Sequence, residues 1–521
     1  MDARTDEKPK AQKAKHAEPK PRTLTHAEIK TIVIGIMLTM FLGALDQTIV
    51  ATALPTIGRH FNNLDDLSWV VTAYLLTATA STPLYGKLSD IYGRRVIMLI
   101  AIVIFVVGSI ACAIAPSMTA LVLARALQGL GGGALMALAQ TIIADIVSPR
   151  ERGRYQGYIS AVFAISSVGG PVLGGFLTEH LDWSLIFWIN LPLGAAAFAV
   201  SWVTLRMVPY HQRKHRLDIL GALLLVVASV VLLLALSWGG RNYDWISPQI
   251  GVLFAGSALV WGLFAWRLVV AEEPFLPLTV LGNPVVRCAA LAGACCMGVL
   301  VGMTIFVPLY FEVVLHLSAS QSGMALIPLM GASVVFSTIT GRRMMHVEHY
   351  KRIPLFGLPV AILALVPLAI WPGSINFVIV LVLLFAVGAG LGCVFPVSTV
   401  CLQNAVARSQ MGIATGAANF FRALFSALVV AVLGAIVLGG LGGVTGMSVE
   451  MLARNASVTE LSYAFRFVFI ACGLVLSFGM SFIISMEEKP LRGPAQAAAA
   501  APTAPATPIP DDLGSGKGPR G

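Results

Sequence analysis

Gly86-Lys87-Leu88-Ser89-Asp90-Ile91-Tyr92-Gly93-Arg94-Arg95 is a short charged stretch between two apolar runs, near residues 68–86 and 96–115. Each run is long enough to cross a hydrocarbon core about 30 Å thick as a helix. The decapeptide is therefore expected to be a loop joining two membrane spans. Gly86 lets a neighbouring helix approach closely, and Gly93 permits a tight loop conformation. Asp90 can accept hydrogen bonds from Arg94, or from the free N–H groups at a helix N-terminus. Arginines at a membrane edge are ordinary. An acidic residue framed by two glycines is not explained by composition.

The surrounding chain has the same character. Of 521 residues, 57% are hydrophobic and 12% charged, with a mean hydropathy of +0.83. No water-soluble fold hides so much apolar surface behind so few charges. Fourteen apolar spans are expected near 31–52, 68–86, 96–115, 119–143, 156–178, 185–206, 218–238, 249–269, 288–311, 322–340, 354–371, 376–400, 415–440 and 463–486. A β-barrel would show short alternating segments instead, so the fold class is all-α integral membrane. The lysine-rich residues 1–28 and the Ala/Pro-rich residues 489–521 read as disordered tails, and no cleavable signal is evident. None of the seven cysteines forms a CxxC pair. They read as buried small residues, with neither a disulfide framework nor a metal site.

Arginine and lysine crowd the loops after the even-numbered spans, whereas the opposite loops carry only Arg59, Arg241 and Arg454. By the positive-inside rule both termini lie in the cytoplasm. The same asymmetry accounts for the net charge of +10 without a nucleic-acid partner.

Charged groups inside a membrane are expensive and mark function. Asp46 falls roughly 22 Å from the cytoplasmic end of span 1, and Arg125 roughly 10 Å from the outer end of span 4. The two can lie at similar depth. Burial favours a protonated carboxyl and a nearby guanidinium favours an ionised one, a contest that can poise a proton site. A static ion pair stabilising the bundle is the alternative. Arg422, in span 13, lies roughly 12 Å from the cytoplasmic edge and can snorkel, pair with a carbonyl or contact a ligand. Glu312 falls near the outer end of span 9, where solvent reaches it easily. In span 5, Ser166-Ser167-Val168-Gly169-Gly170-Pro171-Val172-Leu173-Gly174-Gly175 places a proline among glycines. That composition predicts a bent helix with close neighbours, a candidate moving part. Gly129 to Gly133 has no preceding strand and no Walker lysine, which argues against a nucleotide loop. The sequence contains no recognisable catalytic triad, and an enzymatic role has no support.

The loop Gly86–Arg95 resembles the signature loop of the major facilitator superfamily, and its place between spans 2 and 3 matches. Arg125-Ala126-Leu127-Gln128-Gly129 is similar to that superfamily's proton-coupling motif. The glycine–proline stretch of span 5 resembles the motif of its antiporter branch. Leu45-Asp46-Gln47-Thr48 through Pro55, Phe187-Trp188-Ile189-Asn190-Leu191-Pro192 and Leu402-Gln403-Asn404-Ala405-Val406 resemble the fourteen-helix drug:proton antiporters of the EmrB/QacA type. The chain departs from those patterns at Ala51, Ser166, Ser184, Glu312 and Ala423–Ser426.

The resemblance implies a six-helix bundle over 29–208, two inserted helices over 209–287 and a second six-helix bundle over 288–488. It implies proton coupling through Asp46 and Arg125, a gating loop of Gly86, Asp90, Gly93, Arg94 and Arg95, and an antiporter kink at Gly170, Pro171, Gly174 and Gly175. Asp90 would meet a helix N-terminus near span 11. The implied function is proton-driven export of amphiphilic drugs or toxins across the cytoplasmic membrane, without a cofactor other than the proton gradient. Export of one dedicated metabolite is the alternative. A pocket for such substrates should be apolar and adaptable. Phe41, Tyr74, Met136, Met303, Phe306, Tyr310, Glu312, Phe420 and Arg422 are its candidates. A periplasmic adaptor protein is a further expected partner in a two-membrane cell, and the outer loop 442–461 is long enough to reach one.

Overall fold

The structure, a computed structural model, describes residues 25–63, 66–208, 218–240, 242–317, 319–407, 410–440 and 458–491. These residues form the helices α1 His26–His60, α2 Leu67–Tyr92, α3 Arg94–Ala113, α4 Met118–Ile146, α5 Pro149–His180, α6 Leu185–Trp188, α7 Asn190–Thr204, α8 Ile219–Trp238, α9 Pro248–Val270, α10 Leu278–Leu281, α11 Pro284–Val313, α12 Ala319–Met324, α13 Ile327–Arg343, α14 Arg352–Ile370, α15 Phe377–Asn404, α16 Met411–Gly440 and α17 Val458–Ser485. Among the described residues, thirteen helices are long and apolar enough to cross a membrane. The expected second span lies on α2, whose 26 residues fall outside that set. Thr72, Thr77, Thr79, Ser81, Thr82 and Pro83 dilute its apolar content. The two expected tails, apart from residues 25–28 and 489–491, and most of the outer loop expected over 442–461 lie outside the described residues. At the first tail's end α1 already starts at His26, held by reciprocal Thr25 and Glu28 capping bonds.

Local chemistry sets the helix ends. Ser117, Ser247, Asn283 and Asn376 cap α4, α9, α11 and α15 by accepting backbone N–H groups of the first turn. Gly93, at φ +93°, turns the chain from α2 into α3, a conformation that other residues adopt with strain. The expected sixth span breaks for one residue at Ile189, between α6 and α7. Pro192 has no N–H to give the Trp188 carbonyl, so regular helix bonding is interrupted there.

Packing divides along the sequence. Ile36, Leu42, Phe105, Leu135 and Leu138 belong to one buried cluster, and Ile49, Leu121, Trp183 and Phe187 to another at the His60 end of α1. Val299, Leu329, Leu365, Leu384 and Phe465 belong to a separate cluster from the later helices. The pair α8 and α9 pack together, and α8 also rests on α2 and α16. Leu225, Phe264, Phe275 and Phe420 fill that junction.

Helices from the first part of the chain meet the second part at two close crossings, α2 on α16 and α5 on α13. At the second, a Cβ on Gly153 would lie 2.5 Å from the Gly341 carbonyl oxygen, and one on Gly157 would strike Thr338. Ser160 donates to Ser337 at 3.0 Å, and Arg150 Nε to the Met345 carbonyl at 2.7 Å. Small residues let the two backbones touch, the usual device where helices pack without a hydrophobic drive. Gly341→Val should therefore cost about 1–3 kcal/mol through overpacking and lower the thermal midpoint of the purified protein. Gly256→Ala, where an added methyl meets open space, should leave it unchanged.

Candidate functional site

Asp46 and Arg125 meet. Arg125 Nη1 lies 2.7 Å from Asp46 Oδ2, and both side chains are sealed from solvent. Gln128 Nε2 and Asn190 Nδ2 each donate to Asp46 Oδ1 at 2.8 Å. The carboxylate thus accepts three bonds from α4 and α7. On the other side, Arg125 Nε donates to the Val70 carbonyl at 3.1 Å and Nη1 to Gln128 Oε1 at 2.6 Å. The guanidinium lies over the Tyr74 ring at 4.3 Å and near the Phe187 ring at 5.8 Å. A buried ion pair holds only with such geometry and extra bonds, and removing one partner costs about 3–5 kcal/mol. Ser109 accepts from Asn190 at 3.0 Å and donates to the Phe187 carbonyl at 2.9 Å. Two polar atoms here, Tyr74 Oη and Asn190 Oδ1, are buried and have no partner among the described residues.

The opposite end of α2 holds a second cluster. Asp90 Oδ1 and Oδ2 accept from the Gly412 and Ile413 N–H groups at 3.2 and 3.0 Å. These are free donors at the start of α16, where a carboxylate is favoured. The partner helix is therefore the expected thirteenth span, and not the eleventh. Gly412 explains the choice: a Cβ on Gly86 would lie 2.5 Å from its carbonyl oxygen, so the two helices touch backbone to backbone. Arg94 Nη1 lies 2.5 Å from Asp90, and its Nε donates to Asp145 on α4 at 2.8 Å. Burial pushes the Asp90 carboxyl above the usual carboxylate range, while Arg94 and the Ile413 N–H pull it back. Arg95 takes no part in this cluster. It stacks on Trp202 at 4.4 Å.

The span-5 stretch packs inside its own part of the chain. A Cβ on Gly170 would strike Thr48, and one on Gly174 would strike Thr52 and Ile49. Thr48 Oγ1 donates to the Ser166 carbonyl at 2.8 Å. These glycines thus seat α5 on α1, whereas Gly175 meets nothing within 4 Å. The expected close packing fails at that residue. The helix runs unbroken through Pro171.

The pocket candidates do not converge. Met303, Phe306 and Tyr310 are buried in the later cluster, where the Tyr310 hydroxyl donates to the Pro372 carbonyl. Phe420 packs against Trp261 on α9. Tyr74 belongs to the Asp46 cluster. Phe41 and Met136 are half-buried and Glu312 is exposed. Arg422 donates to Ser398 Oγ and Thr399 Oγ1 at 3.0 Å each, and to Asn419 Oδ1 at 3.4 Å. Asn419 in turn donates to Gln140 on α4 at 3.1 Å. Gln128 and Asn190 sat inside stretches singled out in the sequence without a role assigned to them. Ser109, Asp145, Gln140 and Asn419 carried no signal beyond being polar residues in or beside apolar spans.

Comparison with known proteins fits this geometry. The Major Facilitator Superfamily profile matches residues 36–431. The chain is 33% identical over 430 residues to the multidrug transporter protein MdtP of Bacillus subtilis, covering 82% of this chain and 76% of that protein. It is 38% identical over 321 residues to multidrug resistance protein 3 of the same organism, covering 61% and 62%. An uncharacterised MFS-type transporter of Mycobacterium tuberculosis is 37% identical over 410 residues, which span 78% of this chain and 58% of that relative. In fold, the human organic anion transporter MFSD10 superposes with a TM-score of 0.60 at 16% identity, over 86% of this chain and 99% of its own. The proton:xylose symporter XylE superposes with a TM-score of 0.59 at 14% identity, over 89% and 98%. With its charged Gly86–Arg95 stretch turning at Gly93, its buried Asp46–Arg125 pair and its many apolar helices, this chain belongs to the Major Facilitator Superfamily of membrane transporters.

Proposed function

We propose that this protein is a proton-coupled antiporter that exports amphiphilic compounds across the cytoplasmic membrane. The observation that carries the reading is the sealed Asp46–Arg125 pair on α1 and α4. The relatives named as multidrug transporters supply the direction and class of substrate. The reading includes the fourteen-helix drug:proton antiporter branch, with α2 as the fourteenth span. It also includes two six-helix bundles, over 29–208 and 288–488, with α8 and α9 between them and both termini cytoplasmic. Separate apolar clusters before residue 208 and after residue 280 support the two bundles.

The chemistry follows from what each state of Asp46 needs. Ionised, it uses the Arg125 guanidinium and the Gln128 and Asn190 amides as donors. Protonated, it loses most of its attraction to Arg125 and gains an O–H that needs an acceptor. Asn190 Oδ1 has no partner among the described residues and becomes that acceptor when the amide turns over. The pair opens on proton uptake and closes on release. Proton entry down its gradient then drives the rocking that carries substrate out.

The Asp90 contacts to α16 form only while the α2–α16 crossing is closed. They stabilise the state sealed on the cytoplasmic side and break when that side opens. The α5–α13 crossing closes the same side.

In inverted vesicles holding a pH gradient, amphiphilic compounds should trigger proton release from wild type. Asp46→Asn should cut that release by at least about tenfold, the loss expected when a step relies on one positioned proton-transfer group. Release that survives the substitution would place the proton site elsewhere. Asp90→Asn removes charge-assisted bonds of about 1.5–3 kcal/mol each. Backbone amides of 86–92 and 411–416 should then exchange hydrogen for deuterium at least about tenfold faster. Unchanged protection would count against the latch.

A further inference from the structure

Three well-held arginines are answered by carboxylates, whereas Arg95 rests on the Trp202 ring and Arg152 gives hydrogen bonds to the Ala144 and Val147 carbonyls near the helix ends. Arg125 has Asp46, Arg94 has Asp90 and Asp145, and Arg267 has Asp218. Arg422 has none among the described residues. Its hydrogen-bond partners are two hydroxyls and an amide, on Ser398, Thr399 and Asn419. All three are neutral, and its Nε is buried with no hydrogen-bond partner among the described residues. The residue is twelfth in α16, roughly 17 Å from the helix start, well inside the apolar stretch Met411–Val437. A guanidinium left without a counter-charge at that depth is costly.

The fold makes room for this charge. A Cβ on Gly293 of α11 would lie 2.9 Å from Arg422 Nε and 3.0 Å from Nη2, so glycine there lets the guanidinium lie directly against α11. The side chain is half-buried. Asn419, which it contacts, reaches across to Gln140 on α4. The guanidinium thus stands beside the seam between the two parts of the chain. Two of its neighbours present neutral hydroxyls from α15 that take both Nη2 hydrogens, and Nη1 keeps one hydrogen beyond its bond to Asn419.

We propose that Arg422, with Ser398, Thr399 and Asn419, binds the anionic head of an amphiphilic substrate, a carboxylate or sulfonate on an apolar body. This rests on the export reading above and names the charge of its substrate. An anionic oxygen accepts a charge-assisted bond from the remaining Nη1 hydrogen, and a second when one hydroxyl gives way at Nη2. The anion supplies the counter-charge that the fold withholds. Outward movement of an anion and inward movement of a proton carry charge in the same sense, so a negative-inside potential assists both.

The test uses acid and ester pairs: laurate with methyl laurate, and deoxycholate with its methyl ester. Binding to purified full-length protein in lipid nanodiscs, read by intrinsic tryptophan fluorescence, should favour each acid over its ester by at least tenfold. Arg422→Gln should abolish that preference and leave ester affinity within twofold. Arg422→Lys, which keeps the charge and loses the fork, should retain part of it. Equal affinity of wild type for acid and ester overturns the proposal even if the variants do not fold. So does a preference that survives Arg422→Gln. Proton release from inverted vesicles separates the two readings. Release triggered by esters alone sinks the anion site and spares export. An Arg422-dependent acid preference with no proton release sinks proton-coupled export and leaves the site standing.

Discussion

A carboxylate and a guanidinium enclosed in a low-dielectric bundle set the terms for the first part of this molecule. Neither charge reaches solvent, so each lone pair and N–H must be met by protein. Gln128 and Asn190 meet the carboxylate, the Val70 carbonyl meets the guanidinium, and Tyr74 and Phe187 cover its face. Several backbone features follow from that need. The one-residue break at Ile189 brings Asn190 in at the start of α7. Glycines on α4 bring α2 close enough for Val70 and Tyr74 to reach Arg125: a Cβ on Gly129 or Gly133 would strike α2.

Two helices run from that site to the Asp90 cluster at the opposite end of α2. Along α2, Val70 and Tyr74 touch Arg125, and Asp90 lies roughly 30 Å further on. Along α4, Arg125 belongs to the ion pair and Asp145 receives Arg94 beside the latch. A helix pair packed backbone to backbone is stiff. Asp90 meets the N-terminus of α16 at a contact where Gly86 and Gly412 leave no slack. The two clusters thus share α2 and α4 as common elements.

Much of this was legible from the residues, and the failures share one cause. Span positions follow from apolar length, and the stretch Gly86–Arg95 announces itself because charge there is sparse and patterned, but the loop expected there shrinks to Gly93, since α2 runs to Tyr92 and α3 starts at Arg94. Asp46 and Arg125 stand out because charge inside a span is rare. Their meeting is not legible, since residues 79 apart are joined only by the fold. The aromatic candidates fared worse. A membrane helix is apolar all round, so no stripe marks which face meets a neighbour and which meets lipid or substrate. Tyr310 and Phe420 look the same in sequence as any pocket residue, yet they fill packing junctions. Around Pro171, neighbouring Gly170 and Gly174 seat the helix tightly on α1. The thirteenth span was foreseen as a span, but not as Asp90's partner, because nothing in Gly412 distinguishes it from other helix-start glycines.

Neutralisation is what separates Arg125 from Arg422. Arg125 is matched so fully that it can be released only by changing the charge of Asp46, which suits a proton-controlled element. Arg422 is held by neutral hydroxyls that orient it without cancelling it. A fold that needed only a strut between α15 and α16 could build it from an uncharged amide at far smaller desolvation cost. Keeping a guanidinium there is explicable if the missing charge arrives with something that comes and goes. On that logic one arginine times the cycle and the other selects what the cycle carries.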